Sequence, residues 1–376
     1  MRPNRRQFVI GSAAALGCAA VQSHLAAAPF VPARDPQVVA FAPGGTIIAT
    51  GCSGMTDSAF PPRPHPDVRK CGVVAVWDVA TRKRMFRWET FGDLTKLAFS
   101  PDGTLLAASR LYETADGLAL HEVRVWDVTS GRAVKSLDRC HSFDFAPIES
   151  QIAVLSRSKC VVYDLKDWTK EKLVAPLGGA VSVSFTADGL SLVGVVKDES
   201  KYRLRLASVE PNAAGEAPAP RGAGVSPALQ SQALDEPFYR VAVAPDGTAL
   251  ATGHENGNVV LWDAATLDVR GRLQTGVRGL AHPFFSPDAA LLAAGCQENG
   301  DVVIWNLQQR QEAGRFTFEK GGLRTYLQRA EGANFRPEKD PTRFCFSPGG
   351  EAVLVGAYGG ILRATSGGQE LGRFGD

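Results

Sequence analysis

From residue 38 onward the chain is written in short runs of about four to eight apolar or alternating residues, each closed by Gly, Pro, Asp or Asn. Strict alternation has the period of a pleated strand, while the spacing of an amphipathic helix is absent. The pattern therefore predicts an all-β protein. Two phrases recur within it. The first is apolar-x-Phe-x-Pro-x-Gly, seen at Val39 to Gly45, Leu97 to Gly103, Val183 to Gly189, Val241 to Gly247 and Cys345 to Gly350. Degraded copies stand at Phe143 to Pro147 and at Phe284 to Asp288. Pro presets one turn dihedral and Gly supplies a positive one, so each phrase is a strand running into a tight hairpin.

The second phrase is an alternating run ending in Trp-Asp: Trp77-Asp78, Trp126-Asp127 and Trp262-Asp263, with Trp305-Asn306 and Tyr163-Asp164 as variants. A large aromatic at one place in a repeat is read as packing between repeats. Each unit holds about four strand runs, which makes it a four-stranded antiparallel meander. Such a sheet cannot hide two apolar faces alone, and radial packing buries them with only short edges left. The expected fold is all-β, a seven-bladed β-propeller of four-stranded antiparallel blades. The blades are expected at about 37–90, 95–138, 141–175, 180–210, 238–274, 280–318 and 343–376. The insertion 210–237 is rich in Ala, Pro and Gly, and is expected to be a flexible loop that replaces or obscures the outer strand of the fourth blade.

The recurring Trp-Asp and the repeat number resemble the WD-repeat propeller family, from about Val38 to Phe374. The family's Gly-His pair before the first strand is reduced here to isolated cases such as His141, which puts its hydrogen-bonded network in doubt for most blades. The resemblance implies a rigid scaffold for protein or peptide partners with little catalysis of its own. Gln369 to Phe374 is expected to form the last blade's own outer strand, so that blades one and seven close the ring by packing. Three prolines in residues 29–36 argue against a long edge strand there.

The first 28 residues change the picture of location. A basic start, an apolar stretch from Phe8 to Val21 and the small-residue end Ala26-Ala27-Ala28 read as a signal peptide, leaving 29–376 as one propeller. Asn4 to Val9 resembles the twin-arginine signal with which bacteria export folded proteins. An exported protein of the periplasm or cell envelope is expected. Ala15 to Cys18 also resembles a lipoprotein cleavage box, so membrane contact is expected only if Cys18 is lipidated. Removing Arg2, Arg5 and Arg6 takes the net charge from +2 to about −1, which argues against nucleic acid as a partner. The chain is read as a monomer.

Calling the strands a to d from the axis outward, antiparallel order puts the ab and cd turns on one face and the bc and da connections on the other. The four long insertions, 52–71, 110–121, 210–237 and 319–342, all fall on the bc/da face. Long loops on a rigid scaffold are where binding residues concentrate. Candidate binding residues are therefore Phe60, Arg63, His65 and Arg69 in the first, Tyr112 in the second, and Arg324, Tyr326, Arg329, Phe335 and Arg336 in the last. Cys52 and Cys71 flank the first loop and form a disulfide if the strands hold them directly opposed. Signs of catalysis are thin. The histidines His65, His121, His141, His254 and His282 fall in different blades, and neither Gly-x-Ser-x-Gly nor a metal-binding His pair occurs. No catalytic residue, metal or cofactor is expected. The expected function is non-catalytic binding of a protein or peptide. The alternative is a propeller enzyme, of lactonase or cofactor-dependent dehydrogenase type, with its site at the channel mouth.

Overall fold

A computed structural model describes residues 38–55, 70–113, 118–209, 229–276, 279–296, 302–316, 344–355, 361–365 and 370–373. Each Pro-Asp-Gly phrase folds as the turn its residues favour. Gly103 lies at φ 72° and its N–H donates to Ser100 O at 2.8 Å, while Asp102 Oδ1 accepts from the Thr104 N–H at 3.0 Å. The Asp after each Trp has an equivalent duty at the cd turn. Asp78, Asp127 and Asp263 accept from the backbone N–H of Thr81, Ser130 and Thr266 at 2.7, 2.6 and 2.9 Å. Asp164 does the same for Lys166 at 2.7 Å.

These turns join the strands into meanders. The first sheet is β1 (Val38–Phe41), β2 (Ile47–Met55), β3 (Lys70–Asp78) and β4 (Arg84–Phe91). The second is β5 (Asp93–Phe99), β6 (Leu105–Glu113), β7 (Ala119–Asp127) and β8 (Ala133–Asp138), and the third is β9 (Cys140–Phe145), β10 (Gln151–Ser156), β11 (Cys160–Asp164) and β12 (Glu171–Leu173). Then come β13 (Ser182–Phe185), β14 (Ser191–Asp198), β15 (Lys201–Ser208) and β16 (Leu229–Gln230), followed by β17 (Phe238–Val243), β18 (Ala249–His254), β19 (Val259–Asp263) and β20 (Val269–Leu273). The last two are β21 (Ala281–Phe285), β22 (Leu291–Cys296), β23 (Val302–Asn306) and β24 (Gln311–Phe316), and β25 (Phe344–Phe346), β26 (Ala352–Val355), β27 (Ile361–Ala364) and β28 (Glu370–Arg373). All neighbours within a sheet are antiparallel. The first strand of each sheet touches the first strand of the next, and β25 touches β1. The fold is an all-β propeller of four-stranded antiparallel blades.

The core is not one mass but a series of layers between neighbouring sheets. Trp77 packs with Val39, Ile48, Ala75 and Leu354 where the last sheet meets the first. Trp126 joins Leu94, Leu97 and Val74 between the first and second sheets, and Tyr163 leans on the layer between the second and third. Trp262 fills the layer between the fourth and fifth sheets, and Trp305 that between the fifth and sixth. Each of these aromatics thus seals its blade against the preceding one.

Several expectations are corrected here. The fourth sheet keeps an outer strand: Leu229 and Gln230, inside the supposed insertion, pair with Leu206 and Arg205, so residues 210–228 connect the third strand to the fourth and belong to the ab/cd face, not to the bc/da face expected for them. Residues 110–121 are mostly strand, because β6 and β7 stay paired from Arg110↔Glu122 out to Glu113↔Ala119. Charged residues that look like loop residues are instead buried in a cross-strand pair. Cys52 faces Val73 and Cys71 faces Gly54, so the two cysteines are diagonal and not directly opposed. Diagonal neighbours stand about 7–8 Å apart at Cα, beyond the usual reach of a disulfide, so the geometry assumed for that bridge does not hold.

One turn departs from its sisters. In the sixth sheet Ala289 takes the glycine's place at φ 57°, with its N–H still donating to Ser286 O at 2.9 Å. An L side chain in the left-handed region costs about 1–2 kcal/mol, which exceeds the flexibility cost of glycine. Ala289→Gly is expected to raise stability by about 0.5–1 kcal/mol in urea unfolding. A lowered midpoint would show that the turn is not strained.

Candidate functional site

The inner strands β5, β9, β13 and β17 all enter the ring at the end that carries the bc and da connections, and run toward the Pro-Asp-Gly turns. Their first residues converge. One small cavity at this end of the channel is lined by Thr95, Lys96, Ser109, His141, Ser142, Val181, Ser182, Tyr239 and Arg240. These come from four successive sheets, so the cavity exists only because the ring brings separate repeats together.

Its side chains are held from behind. Lys96 Nζ donates to Phe143 O at 2.7 Å and to Asp144 Oδ1 at 3.2 Å, and sits 5.0 Å from the centre of the Phe143 ring. The other oxygen of Asp144 accepts from the Phe185 N–H at 3.0 Å, and Ser184 Oγ donates to Val241 O at 3.3 Å. The second to fifth sheets are thereby stitched along their inner strands. Thr95 and Ser109 share a hydroxyl hydrogen bond of 2.6 Å. His141 Nε2 lies 3.3 Å from Ala180 O, a partner that can only accept, so this nitrogen carries the proton. Its ring stands edge-on to that of His121 at 5.8 Å. Tyr239 donates its hydroxyl to Glu255 Oε1 at 2.9 Å and accepts from the Tyr202 hydroxyl at 3.2 Å. Burial, followed by these two hydrogen bonds, pushes the Tyr239 phenol far above its ordinary range. It stays protonated.

Of the candidate binding residues read from the sequence, only Tyr112 is described. It lies in β6 opposite Leu120, with the Arg110 guanidinium carbon 4.9 Å from its ring centre, and so is a strand residue and not part of a loop. Phe60, Arg63, His65, Arg69, Arg324, Tyr326, Arg329, Phe335, Arg336 and Cys18 lie outside the described residues. Among the described residues, no group of three or more His, Cys, Asp or Glu is placed to hold a metal ion, and no helix is long and apolar enough to cross a membrane.

The hydrogen-bonded network doubted above exists in altered form. In the fifth sheet the Trp262 indole donates to Thr252 Oγ1 at 2.9 Å, and Thr252 Oγ1 meets His254 Nε2 at 3.0 Å. In the first sheet Trp77 likewise donates to Thr50 Oγ1 at 2.9 Å. The histidine comes from the end of the second strand, not from a pair preceding the first. Burial pushes His254 down to about 4, against the pull of Glu236, so it is neutral near pH 7 and structural.

Lys96, Ser142, Ser182 and Arg240 were not singled out from the sequence, although a signal exists. All four occupy the position immediately before the apolar-x-Phe phrase and its relatives, and become visible when the repeats are superposed.

Residues 233–263 and 267–306 match the family model for the WD domain, G-beta repeat. The second segment begins at the outer strand of the fifth sheet and ends with β23, so it runs across the boundary between two blades. No curated protein matches the chain.

Proposed function

We propose that the whole chain is a seven-bladed WD-repeat propeller, exported to the periplasm or cell envelope of a bacterium, that binds a protein or peptide through its bc/da face. WD-repeat propellers are commonly non-catalytic scaffolds for protein interaction. The seven four-stranded sheets and the contact of the last with the first support the seven-bladed reading. Export rests on the signal-like residues 1–28, and membrane contact would arise only through Cys18.

The observation that carries the reading is the cavity at the channel mouth. It opens at the end of the inner strands where the long connections 56–69 and 317–343 also attach. Its lining offers ammonium, guanidinium, imidazole and hydroxyl groups, a set suited to recognition. The test is capture of partners from the native envelope fraction by the mature protein and by a variant with residues 56–69 replaced by a short turn. Loss of one or more partners in the variant is expected. Identical partners, or none with either bait, would remove the role given to this face.

A further inference from the structure

We propose that the seam between the first and last sheets holds a docking site on the ab/cd face, which takes a lysine or arginine side chain of a partner protein. It lies opposite the face proposed above and does not depend on it.

The turns at the seam are the first argument. In the ab turns of the second, fourth, fifth and sixth sheets the second turn position is Asp102, Asp188, Asp246 and Asp288. Three of these carboxylates accept the hydroxyl of Ser100, Thr186 and Ser286 at 2.5, 2.6 and 2.5 Å. Only the two turns that meet where the ring closes read Pro43-Gly44-Gly45 and Pro348-Gly349-Gly350. Gly45 and Gly350 hold φ of 70° and 76°, which their turns require, whereas Gly44 and Gly349 are not in the left-handed region. A Cβ on Gly44 would meet nothing nearer than Thr46 Oγ1 at 3.9 Å. Neither backbone conformation nor crowding demands Gly44, and with two neighbouring side chains left out a cavity of about 370 Å³ opens between the sheets.

Charge is the second argument. Glu351 is the one charged residue of the lining. A Cβ on Gly349 would run into its carboxylate, so that glycine makes room for the acid over the turn. Among the described residues the Glu351 carboxylate has no hydrogen-bond or ion-pair partner. Arg82, which reaches across the seam, donates to Leu371 O at 3.3 Å instead. Ser347, only 3% exposed, also lines the cavity. Its oxygen accepts from the Ala352 N–H at 3.0 Å, but with no Asp in its turn its proton has no acceptor among the described residues. The lining thus offers an unpaired negative charge and one unused donor, which a cationic side chain and a peptide carbonyl would satisfy together.

Shape is the third. Phe41, Val79, Pro348 and Leu371 give the cavity apolar walls, and Leu371 is 44% exposed. Lysine and arginine lay their aliphatic stems along apolar surface and keep the charged head at a polar edge. Apolar walls beside a single acid match that division. An acidic side chain would meet Glu351 with like charge, and a purely apolar one would cover the carboxylate without pairing it. The room, on the order of a dozen water molecules, holds one such side chain with a short stretch of backbone.

Fluorescence anisotropy of the full chain with labelled, amidated hexalysine, hexaglutamine and hexaglutamate tests the assignment. Hexalysine is expected to bind saturably and about ten-fold tighter than hexaglutamine, with hexaglutamate weakest. Glu351→Gln should weaken hexalysine about five-fold, the size of a partly exposed ion pair, and Leu371→Ser about three-fold through the lost wall. Both side chains are exposed, so unchanged melting is expected of both variants. Glu149→Gln removes the same charge from the ab turn of the third sheet and should leave binding unchanged. Replacing residues 56–69, on the opposite face, should do the same. Absence of saturable binding, or hexaglutamine or hexaglutamate binding as tightly as hexalysine, overturns the site. Equal weakening by Glu149→Gln and Glu351→Gln would reduce the effect to the general charge of the face, and loss of hexalysine on replacing 56–69 would move it to the bc/da face; either result overturns the seam.

Discussion

Replacing Glu122 by leucine is expected to cost about 3–5 kcal/mol of folding free energy in urea unfolding, because it strands a buried guanidinium. Arg110 and Glu122 face each other across β6 and β7 with side chains only 7% and 3% exposed. Arg110 Nε donates to Glu122 Oε2 at 2.7 Å, a second guanidinium nitrogen pairs with the same oxygen, and Arg124 Nε donates to Oε1 at 3.0 Å. The Ser136 hydroxyl donates to Oε1 as well. With the carboxylate gone, Arg110 keeps its charge and loses its pairing with Glu122. The double variant Arg110→Met with Glu122→Leu should recover most of the loss, since a matched apolar pair removes both charges together. A single variant within about 1 kcal/mol of the parent would mean that water reaches the pair.

Acid should expose the same interaction. Burial pushes the Glu122 carboxyl up, but the Ser136 hydroxyl and the Arg110 and Arg124 guanidiniums outweigh it and hold the group below its ordinary 4.5. The folded state therefore binds its proton more weakly than the unfolded chain does. The stabilisation is complete above pH 4.5 and fades as pH falls through the lower folded value. Glu122→Gln should flatten that part of the stability profile. An unchanged acid limb would place the lost protons on other carboxylates.

The contrast between what could and could not be read in the sequence follows from range. Pro101-Asp102-Gly103 determines its own turn through contacts within four residues, and the alternation around Trp126 reports its own pleat, so sheets and their order were legible. Hairpin ends were not. Arg110 falls in the span 110–121 read as a loop and Glu122 stands just beyond it, and only their pairing makes burial tolerable. The parity that puts Cys52 and Cys71 on one face is readable from spacing, but the register that sets them two positions apart depends on the whole β2–β3 ladder. The channel-mouth residues are harder still. Lys96, His141 and Arg240 stand in different repeats, and nothing local to any of them indicates that a ring will bring them together.

That ring leaves little slack, and Gly253→Ala should show it with a loss of about 3 kcal/mol or more. Gly253 lies in β18 opposite Val259, where the next inner strand, β21, passes. A Cβ there would stand 1.8 Å from Ala281 O, 2.6 Å from its carbonyl carbon and 2.9 Å from Pro283 Cδ. Backbone cannot rotate out of the way as a side chain can. The fifth and sixth sheets must separate, which opens the layer in which Ala251, Val259, Ala281, Ala294 and Trp305 pack. Gly51, which stands the same three ladder steps from its Trp in the first sheet, is the control. A Cβ at Gly51 meets Val38 Cγ2 at 2.5 Å and Leu94 Cδ1 at 2.8 Å, both ends of side chains that can adjust. Gly51→Ala should therefore cost less, about 1–3 kcal/mol. The order of the two urea midpoints is the decisive reading. If Gly253→Ala were the milder of the pair, the distance between blades would be set by side-chain packing and not by backbone contact between neighbouring sheets.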